Sequence, residues 1–279
     1  SRPGEVVFNY DPPEVFSVTP EVCPTRGKCL LRISGANFGI EQGDHLQVRV
    51  GGKTCANVGE GTAPLYVNQT SLECVVPGNV GKEQNVEVCV GSQCSTPNDI
   101  FSYRRPEVYE IRPRHGSLKG GGIATIIGVG FGQKGGASSV LVAKIGDVPC
   151  VDTKWLSDTR LECTLPNSYA GGFRLPVSVK VANQVSDDAK LPMAARFSYD
   201  APEMHKFSIS HGGTAGGYAL TIEGFNFPVD SLIYFGDMEA FGSDLVACKN
   251  THHVTRNKLK CIVPCGVAVG KDEYGTDII

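Results

Sequence analysis

Three copies of one block pattern run through this chain, and that repetition limits what it can fold into more than any other feature. Phe8-Asn9-Tyr10-Asp11-Pro12-Pro13-Glu14-Val15 returns as Phe101-Ser102-Tyr103-Arg104-Arg105-Pro106-Glu107-Val108 and as Phe197-Ser198-Tyr199-Asp200-Ala201-Pro202-Glu203-Met204, at spacings of 93 and 96 residues. Between these junctions further blocks recur in fixed order. Gly35 to Gly39, Gly128 to Gly132 and Gly224 to Pro228 come first, and the pairs Val50-Gly51, Ile145-Gly146 and Phe235-Gly236 follow. Last are Leu72-Glu73-Cys74 ending at Pro77, Leu161-Glu162-Cys163 ending at Pro166 and Leu259-Lys260-Cys261 ending at Pro264.

Within each copy short alternating runs, such as Leu46 to Val50, Val86 to Val90 and Val177 to Val181, are separated by turn signals. Alternation with period two marks half-buried strands, and a module of this length fits a β-sandwich of roughly seven strands. Composition agrees, with 34 Gly and 17 Pro among 279 residues against 3 Met and 1 Trp, and no helix is needed. The fold class expected is all-β, with tandem β-sandwiches end to end. Residues 1–10 read as the final strand of a preceding module, 11–103 as module 1, 104–199 as module 2 and 200–279 as a C-terminally incomplete module 3. Both ends are thus expected to cut through an array. Only about two residues part each Phe-x-Tyr strand from the next Pro-Glu start, and proline fixes φ there, so the sequence predicts a semi-rigid rod.

Repeat alignment pairs most of the eleven cysteines. Cys55 aligns with Cys150 and Cys74 with Cys163, on strands expected to be neighbours, which predicts Cys55–Cys74 and Cys150–Cys163 bridges. In the third copy Ala240 aligns with Cys150, and Cys248 stands eight residues further on; Cys248–Cys261 is the corresponding pair. Cys89-Val-Gly-Ser-Gln-Cys94 reads as a hairpin with a Gly91-Ser92 turn, placing Cys89 opposite Cys94 as a directly facing pair. Cys23 and Cys29 take the places of Gly116 and Gly122 and staple the opening loop. Cys265 is left unpaired within these residues, its partner expected beyond Ile279. Such bridges imply an oxidising compartment, extracellular or at the cell surface by the secretory pathway. Asn68-Gln69-Thr70, the one Asn-x-Ser/Thr sequon, marks Asn68 as a site for an N-glycan.

These blocks resemble the IPT/TIG module, the immunoglobulin-like fold of plexins and certain transcription factors. The resemblance rests on the Pro-Glu-Val start, the glycine-rich loops Gly116 to Gly122 and Gly212 to Gly217, the stretch Thr221 to Phe227, and the block running from an apolar-Gly pair to a cysteine. It covers about 270 of the 279 residues. The first copy departs from it by carrying Cys23 and Cys29 in place of loop glycines, and the third by its displaced cysteine. Extracellular members use tandem modules as stalks and adhesion surfaces, and the paired cysteines point to that group.

Other chemistries find little support. The net charge is -3 and the 26 basic residues are scattered, so no face is built to neutralise nucleic-acid phosphates. No apolar run is long enough for a membrane span, and membrane insertion by these residues is not expected. Gly130-Phe-Gly132-Gln-Lys-Gly135 matches the dinucleotide fingerprint, but a strand rather than a helix is predicted after it, so it reads as a glycine turn. No nucleophile elbow, metalloprotease motif or unbridged Cys/His pair is present, and the spacings offer no zinc site. The six histidines (45, 115, 205, 211, 252 and 253) do not recur at aligned positions, and most of them read as exposed loop residues. Asp187-Asp188 reads as a solvated turn. Glu14, Glu107 and Glu203 beside Asp11 and Asp200 raise a calcium site at the junctions, but Arg104-Arg105 opposes it and strand-start capping is the simpler reading. Trp155-Leu156 is either a contact patch or core.

No catalytic residue, metal or cofactor is therefore assigned. The function expected is that of a non-enzymatic part of a long extracellular protein, a disulfide-stapled rod for adhesion or for assembling a surface or filament structure. Its partners would be proteins, by self-association or through other surface proteins. The alternatives are the stalk of a plexin-like receptor ectodomain and accessory modules of a secreted carbohydrate-active enzyme.

Overall fold

The structure, a computed structural model, describes residues 9–40, 45–56, 65–133, 140–168, 170–235, 245–265, 270–271 and 277–278. Most of the 1–10 segment lies outside them, as do Ala240 and the end of the Gly130–Gly135 motif. The described residues form strands and two short 3-10 turns, Asp188–Lys190 and Met193–Ala195, with no α-helix among them. Two compact units are present. One comprises Ser1–Arg112, Ile123–Cys163 and Pro176–Arg196; the other comprises Pro113–Gly122, Thr164–Leu175 and Phe197–Ile279.

The same four-stranded antiparallel sheet is built three times. In the first repeat its order is Glu14–Thr19, Leu30–Ala36, Ser71–Val75 and Leu65–Asn68. In the second it is Glu107–Arg112, Ile123–Val129, Arg160–Thr164 and Asp152–Ser157, and in the third Glu203–Phe207, Ala219–Phe225, Lys258–Ile262 and Lys249–Thr255. The first-named strand of each is called the opening strand below. The second sheet of the first repeat runs Lys53–Thr54, Leu46–Val50, Val86–Val90 and Gln93–Cys94. Its counterpart in the second repeat pairs Leu141–Ile145 with Val148–Pro149 and with Leu175–Val181, which pairs in turn with Gln184–Val185.

Alternation in sequence becomes alternation in burial. Along Leu30–Ala36, Leu31, Ile33 and Gly35 face inward, and along Leu46–Val50 so do Leu46, Val48 and Val50. With Leu72, Val86, Val88, Phe101 and Tyr103 they make the first core. Burying each aliphatic side chain is worth about 2 kcal/mol relative to leaving it in water. A smaller core in the third repeat gathers Leu220, Ile222, Phe227, Ile233 and Leu259.

The glycine that begins each Gly-x-x-Phe block has a steric cause. A Cβ on Gly35, Gly128 or Gly224 would lie 1.9, 2.1 or 1.9 Å from the carbonyl oxygen of Glu14, Glu107 or Glu203, and 2.5, 2.6 or 2.6 Å from the ring of Phe38, Phe131 or Phe227. The opening strand therefore crosses the second strand at backbone contact. Its register slips at the same place each time, between Val15 and Ser17, Val108 and Glu110, and Met204 and Lys206, as a bulge does. Two residues after this glycine stand Asn37, Gly130 and Asn226, all at positive φ (62°, 80° and 56°), the region that Gly and Asn enter most readily.

The Phe-x-Tyr blocks close the repeats. Ser102–Tyr103 pairs in parallel with Val22–Cys23, and Ser198–Tyr199 with His115–Gly116. The hydroxyls of Tyr103 and Tyr199 donate to the carbonyls of Pro77 and Pro166, both at 2.8 Å, so Phe-x-Tyr and the proline after the cysteine block are partners. Burial pushes the Tyr103 hydroxyl well above the usual tyrosine range, and it remains a donor.

Gly128→Ala is expected to destabilise the second repeat by roughly 1 to 3 kcal/mol through overpacking, and exposed Lys119→Ala to change it by less than about 0.5 kcal/mol. Thermal unfolding followed by circular dichroism separates the two.

Candidate functional site

The staples come first because they fix the strands that carry everything else. The structure joins Cys55 to Cys74, Cys150 to Cys163 and Cys248 to Cys261, with Cα atoms 5.7, 5.6 and 5.9 Å apart. It also joins Cys23 to Cys29 and Cys89 to Cys94. Cys89 and Cys94 face each other across the hairpin, their Cα atoms 4.0 Å apart. Cys265 is exposed and unpaired among the described residues.

Cys248 corrects the sequence alignment. Its N–H donates to the Ile233 carbonyl at 2.8 Å, as Cys55 donates to Val48 and Cys150 to Ala143, both at 2.9 Å. Cys248 thus occupies the place of Cys55 and Cys150, and the third repeat is longer before it.

One turn recurs in all three repeats. The strand ending at Asn68, Ser157 or Thr255 passes through two residues into the strand after it, and the side chain at each of those positions accepts from the N–H two residues on, at Thr70, Thr159 or Asn257. The carbonyl of the residue between, Gln69, Asp158 or Arg256, accepts from Phe38, Phe131 or Phe227 N–H at 3.1, 3.1 and 2.9 Å. These middle residues are therefore equivalent in three dimensions.

Within the first unit, Asp158 reaches the preceding repeat. Its Oδ1 accepts from Thr25 Oγ1 at 2.6 Å and from Gly132 N–H at 2.8 Å, and Thr25 is buried there. Gln133 Nε2 donates to the Arg26 carbonyl at 3.3 Å. Further along the same junction the Asn183 amide makes a reciprocal pair with the backbone of Lys82, at 2.9 and 3.1 Å, and Gln184 Nε2 donates to the Tyr103 carbonyl at 3.0 Å. Within the second unit, Arg256 donates to the carbonyl of Leu118, which aligns with Thr25. Ser117 donates to Asn226 at 3.4 Å and His115 pairs with Asp200 at 3.3 Å.

Asp187 has a structural task rather than a solvated one. It caps the first 3-10 turn by accepting from Ala189 N–H at 3.1 Å, and it pairs at 2.9 Å with Arg105 of the junction. Desolvation pushes its carboxyl up, but Ala189, Arg105 and Lys190 outweigh this and hold it below the usual carboxylate range. Arg105 thus has a carboxylate partner where a calcium site would need a carboxylate instead. The described residues hold one cluster with metal-ligand types, Glu87, Cys89 and Cys94, and its two sulfurs are bonded to each other.

Five of the histidines are exposed as expected, but His115, His205, His252 and His253 lie in strands rather than loops. His253 is half-buried, its Nε2 3.0 Å from the Phe227 carbonyl. His205 packs edge-on against Phe225 beside an open cleft of about 440 Å³ that Lys206, Glu223 and Lys258 also line. The hydrogen bond and charge of Lys258 hold the Glu223 carboxyl below its usual value, and the two form a surface ion pair at 2.9 Å. Trp155 is half-buried with its indole N–H enclosed and unpartnered, and Leu156 is exposed. Gly130 and Gly132 take positive φ, and the chain runs on into a strand at Leu141.

Sequence reasoning missed the junction side chains and two buried serines. Ser95 and Ser186, both 6% exposed, offer no pattern of charge or motif, yet each accepts from a strand N–H, Val88 and Val179, at 3.0 Å. Their signal was recurrence, since each directly follows the aligned hairpin position Cys94 or Val185. Asp158 and Arg256 carried no such signal, because the position changes chemistry from one repeat to the next.

Comparison with known proteins gives this architecture its relatives. The family model described as IPT/TIG domain matches residues 13–103 and again 106–193. Plexin-B2 of Mus musculus is 29% identical over 188 residues, covering 62% of this chain and 10% of the plexin. Plexin-2 of Caenorhabditis briggsae is 24% identical over 222 residues, covering 78% of this chain and 12% of the plexin. The chain spans about a tenth of the length of these curated relatives. Among solved structures, the full extracellular region of Plexin A4 matches at 18% identity with a TM-score of 0.32, covering 92% of this chain and 21% of that one.

The Cys150→Ala/Cys163→Ala double variant is expected to lose about 3 kcal/mol, the loop-closure value for a bridge of this span, read as a lower denaturant midpoint. Asp187→Asn tests the junction by pH. A carboxyl held low in the folded state stabilises above its unfolded value and stops doing so as pH falls through the folded one. Wild type should therefore melt above Asp187→Asn at neutral pH, and the gap should close in acid; a gap that persists in acid contradicts the assignment.

Proposed function

The chain belongs to the IPT/TIG family, and from that membership we propose that it works outside the cytosol as a non-enzymatic, disulfide-stapled rod of β-sandwich modules. Its modules are taken as 11–103, 104–199 and 200–279, with residues 1–10 closing a preceding one. The rod carries protein contacts for adhesion or for assembling a surface or filament structure, with further copies of the chain or other surface proteins as partners. One observation carries this reading: equivalent turn residues, Asp158 and Arg256, tie a repeat to the one before it at both junctions. Fixed spacing between modules is what a scaffold needs, whereas catalysis needs converging polar groups. The five disulfides support an oxidising compartment. No helix among the described residues is long and apolar enough to cross a membrane.

Asn68 is proposed to bear an N-glycan. It is exposed, and its Oδ1 accepts from Thr70 Oγ1 at 2.8 Å, which brings together the two side chains that define a sequon.

A second reading, the stalk of a plexin-like receptor ectodomain, is favoured by the two plexins that align with 62% and 78% of this chain. Light scattering across concentration on the oxidised chain separates the two. Reversible self-association is expected for the adhesive or assembling rod; a strict monomer at all concentrations favours the stalk.

A further inference from the structure

Lysines that are scattered along the sequence of the third repeat are gathered by its four-stranded sheet. In the first repeat the strands of this sheet carry one cation, Arg32, against Glu14 and Glu73. In the second, Arg112, Lys154 and Arg160 stand against Glu107, Glu110, Asp152 and Glu162. In the third the balance reverses, with Lys206, Lys249, Lys258 and Lys260 against Glu203 and Glu223. Register puts these lysines on the face away from the core. Leu259 and Cys261 turn inward and Lys258 and Lys260 alternate with them, while Lys206 and Lys258 flank Glu223 from the two neighbouring strands. Lys260 lies between Thr221 and His252, and Lys249 beside Ile262, so neither has a carboxylate opposite it in the sheet. The same face is exposed at Arg112 and Lys154 of the second repeat, which has a repeat before and after it in the sequence, so its exposure belongs to the module.

Phe225 gives this face an apolar platform. It is 52% exposed, His205 packs edge-on against it with ring centroids 4.8 Å apart, and Lys206, Glu223 and Lys258 join them around the open cleft of about 440 Å³. We propose that this cleft and the lysines beside it bind an acidic glycan, a chain whose sugars carry sulfate or carboxylate groups. Ammonium groups donate charge-assisted hydrogen bonds to such oxygens, and an aromatic ring packs against the apolar C–H face of a sugar. Lys258 and Lys260 are alternate residues of one strand, about 7 Å apart, so successive charges on an extended chain each meet an ammonium. Glu223, the one carboxylate lining the cleft, holds Lys258 at 2.9 Å and repels an incoming anion. The glycan is added to the protein partners proposed above, and neither depends on the other.

Calorimetric titration of the full 279-residue chain at about 0.15 M salt, with a heparin hexasaccharide and with an oligogalacturonate of the same length, separates sulfate from carboxylate. At least one of them should bind, and a neutral dextran oligosaccharide should not. For the anion that binds, K206Q/K260Q should weaken binding roughly tenfold and E223Q should tighten it roughly threefold. The gain expected of E223Q is a readout that a damaged fold would not give. K119Q/K144Q/K180Q removes three exposed lysines elsewhere and should leave the affinity within about twofold of wild type. F225A should weaken binding of the sugar and leave that of polyglutamate unchanged. Failure of both acidic oligosaccharides to bind overturns the inference, as does an equal loss in the K119Q/K144Q/K180Q control. Polyglutamate binding as tightly as the sugar, with F225A without effect on either, overturns it as well, since the face would then read charge alone.

Discussion

Backbone pressed against backbone at Gly35, Gly128 and Gly224 is the constraint on which the rest depends. With no Cβ at these points, the opening strand can lie across the second strand, and the phenylalanine three residues on can slide its ring into the space beneath. That ring is anchored by its own N–H to the carbonyl of the turn residue, Gln69, Asp158 or Arg256. One steric requirement therefore fixes a bulge, a core aromatic and a surface turn together. In the second and third repeats that turn also reaches the opening loop of the repeat before it.

Covalent and non-covalent ties divide the work. The Cys55–Cys74, Cys150–Cys163 and Cys248–Cys261 bridges lie inside single repeats and act chiefly by restricting the unfolded chain. The junctions have no bridge among the described residues. Their polar contacts include several made to backbone carbonyls and amides.

Much of the fold could be read from the residues because repetition makes steric demands visible. Gly-x-x-Phe, Phe-x-Tyr and Leu-x-Cys returned in order, and each corresponds to a packed contact that permits few alternatives. The all-β class, the strands, and the assignment to the IPT/TIG family follow from those blocks. The junction chemistry was not legible. Asp158 and Arg256 share a place but neither size nor charge, and Asp187 looks like any solvated acid until Arg105 and Ala189 are brought to it by the fold. The position of Cys248 was hidden for a different reason, since added length before it shifted the alignment by eight residues while the hydrogen bond to Ile233 kept the place.

The change of chemistry at one turn position shows how such a contact survives the loss of a side chain. Asp158 is an acceptor and meets the Thr25 hydroxyl; Arg256 is a donor and meets the Leu118 carbonyl. A loop that offers a hydroxyl suits a carboxylate, whereas a leucine in the same place leaves only its backbone, and a backbone carbonyl calls for a donor. Acid and base at the turn are thus two answers to one geometric demand, each matched to what the facing loop has to give.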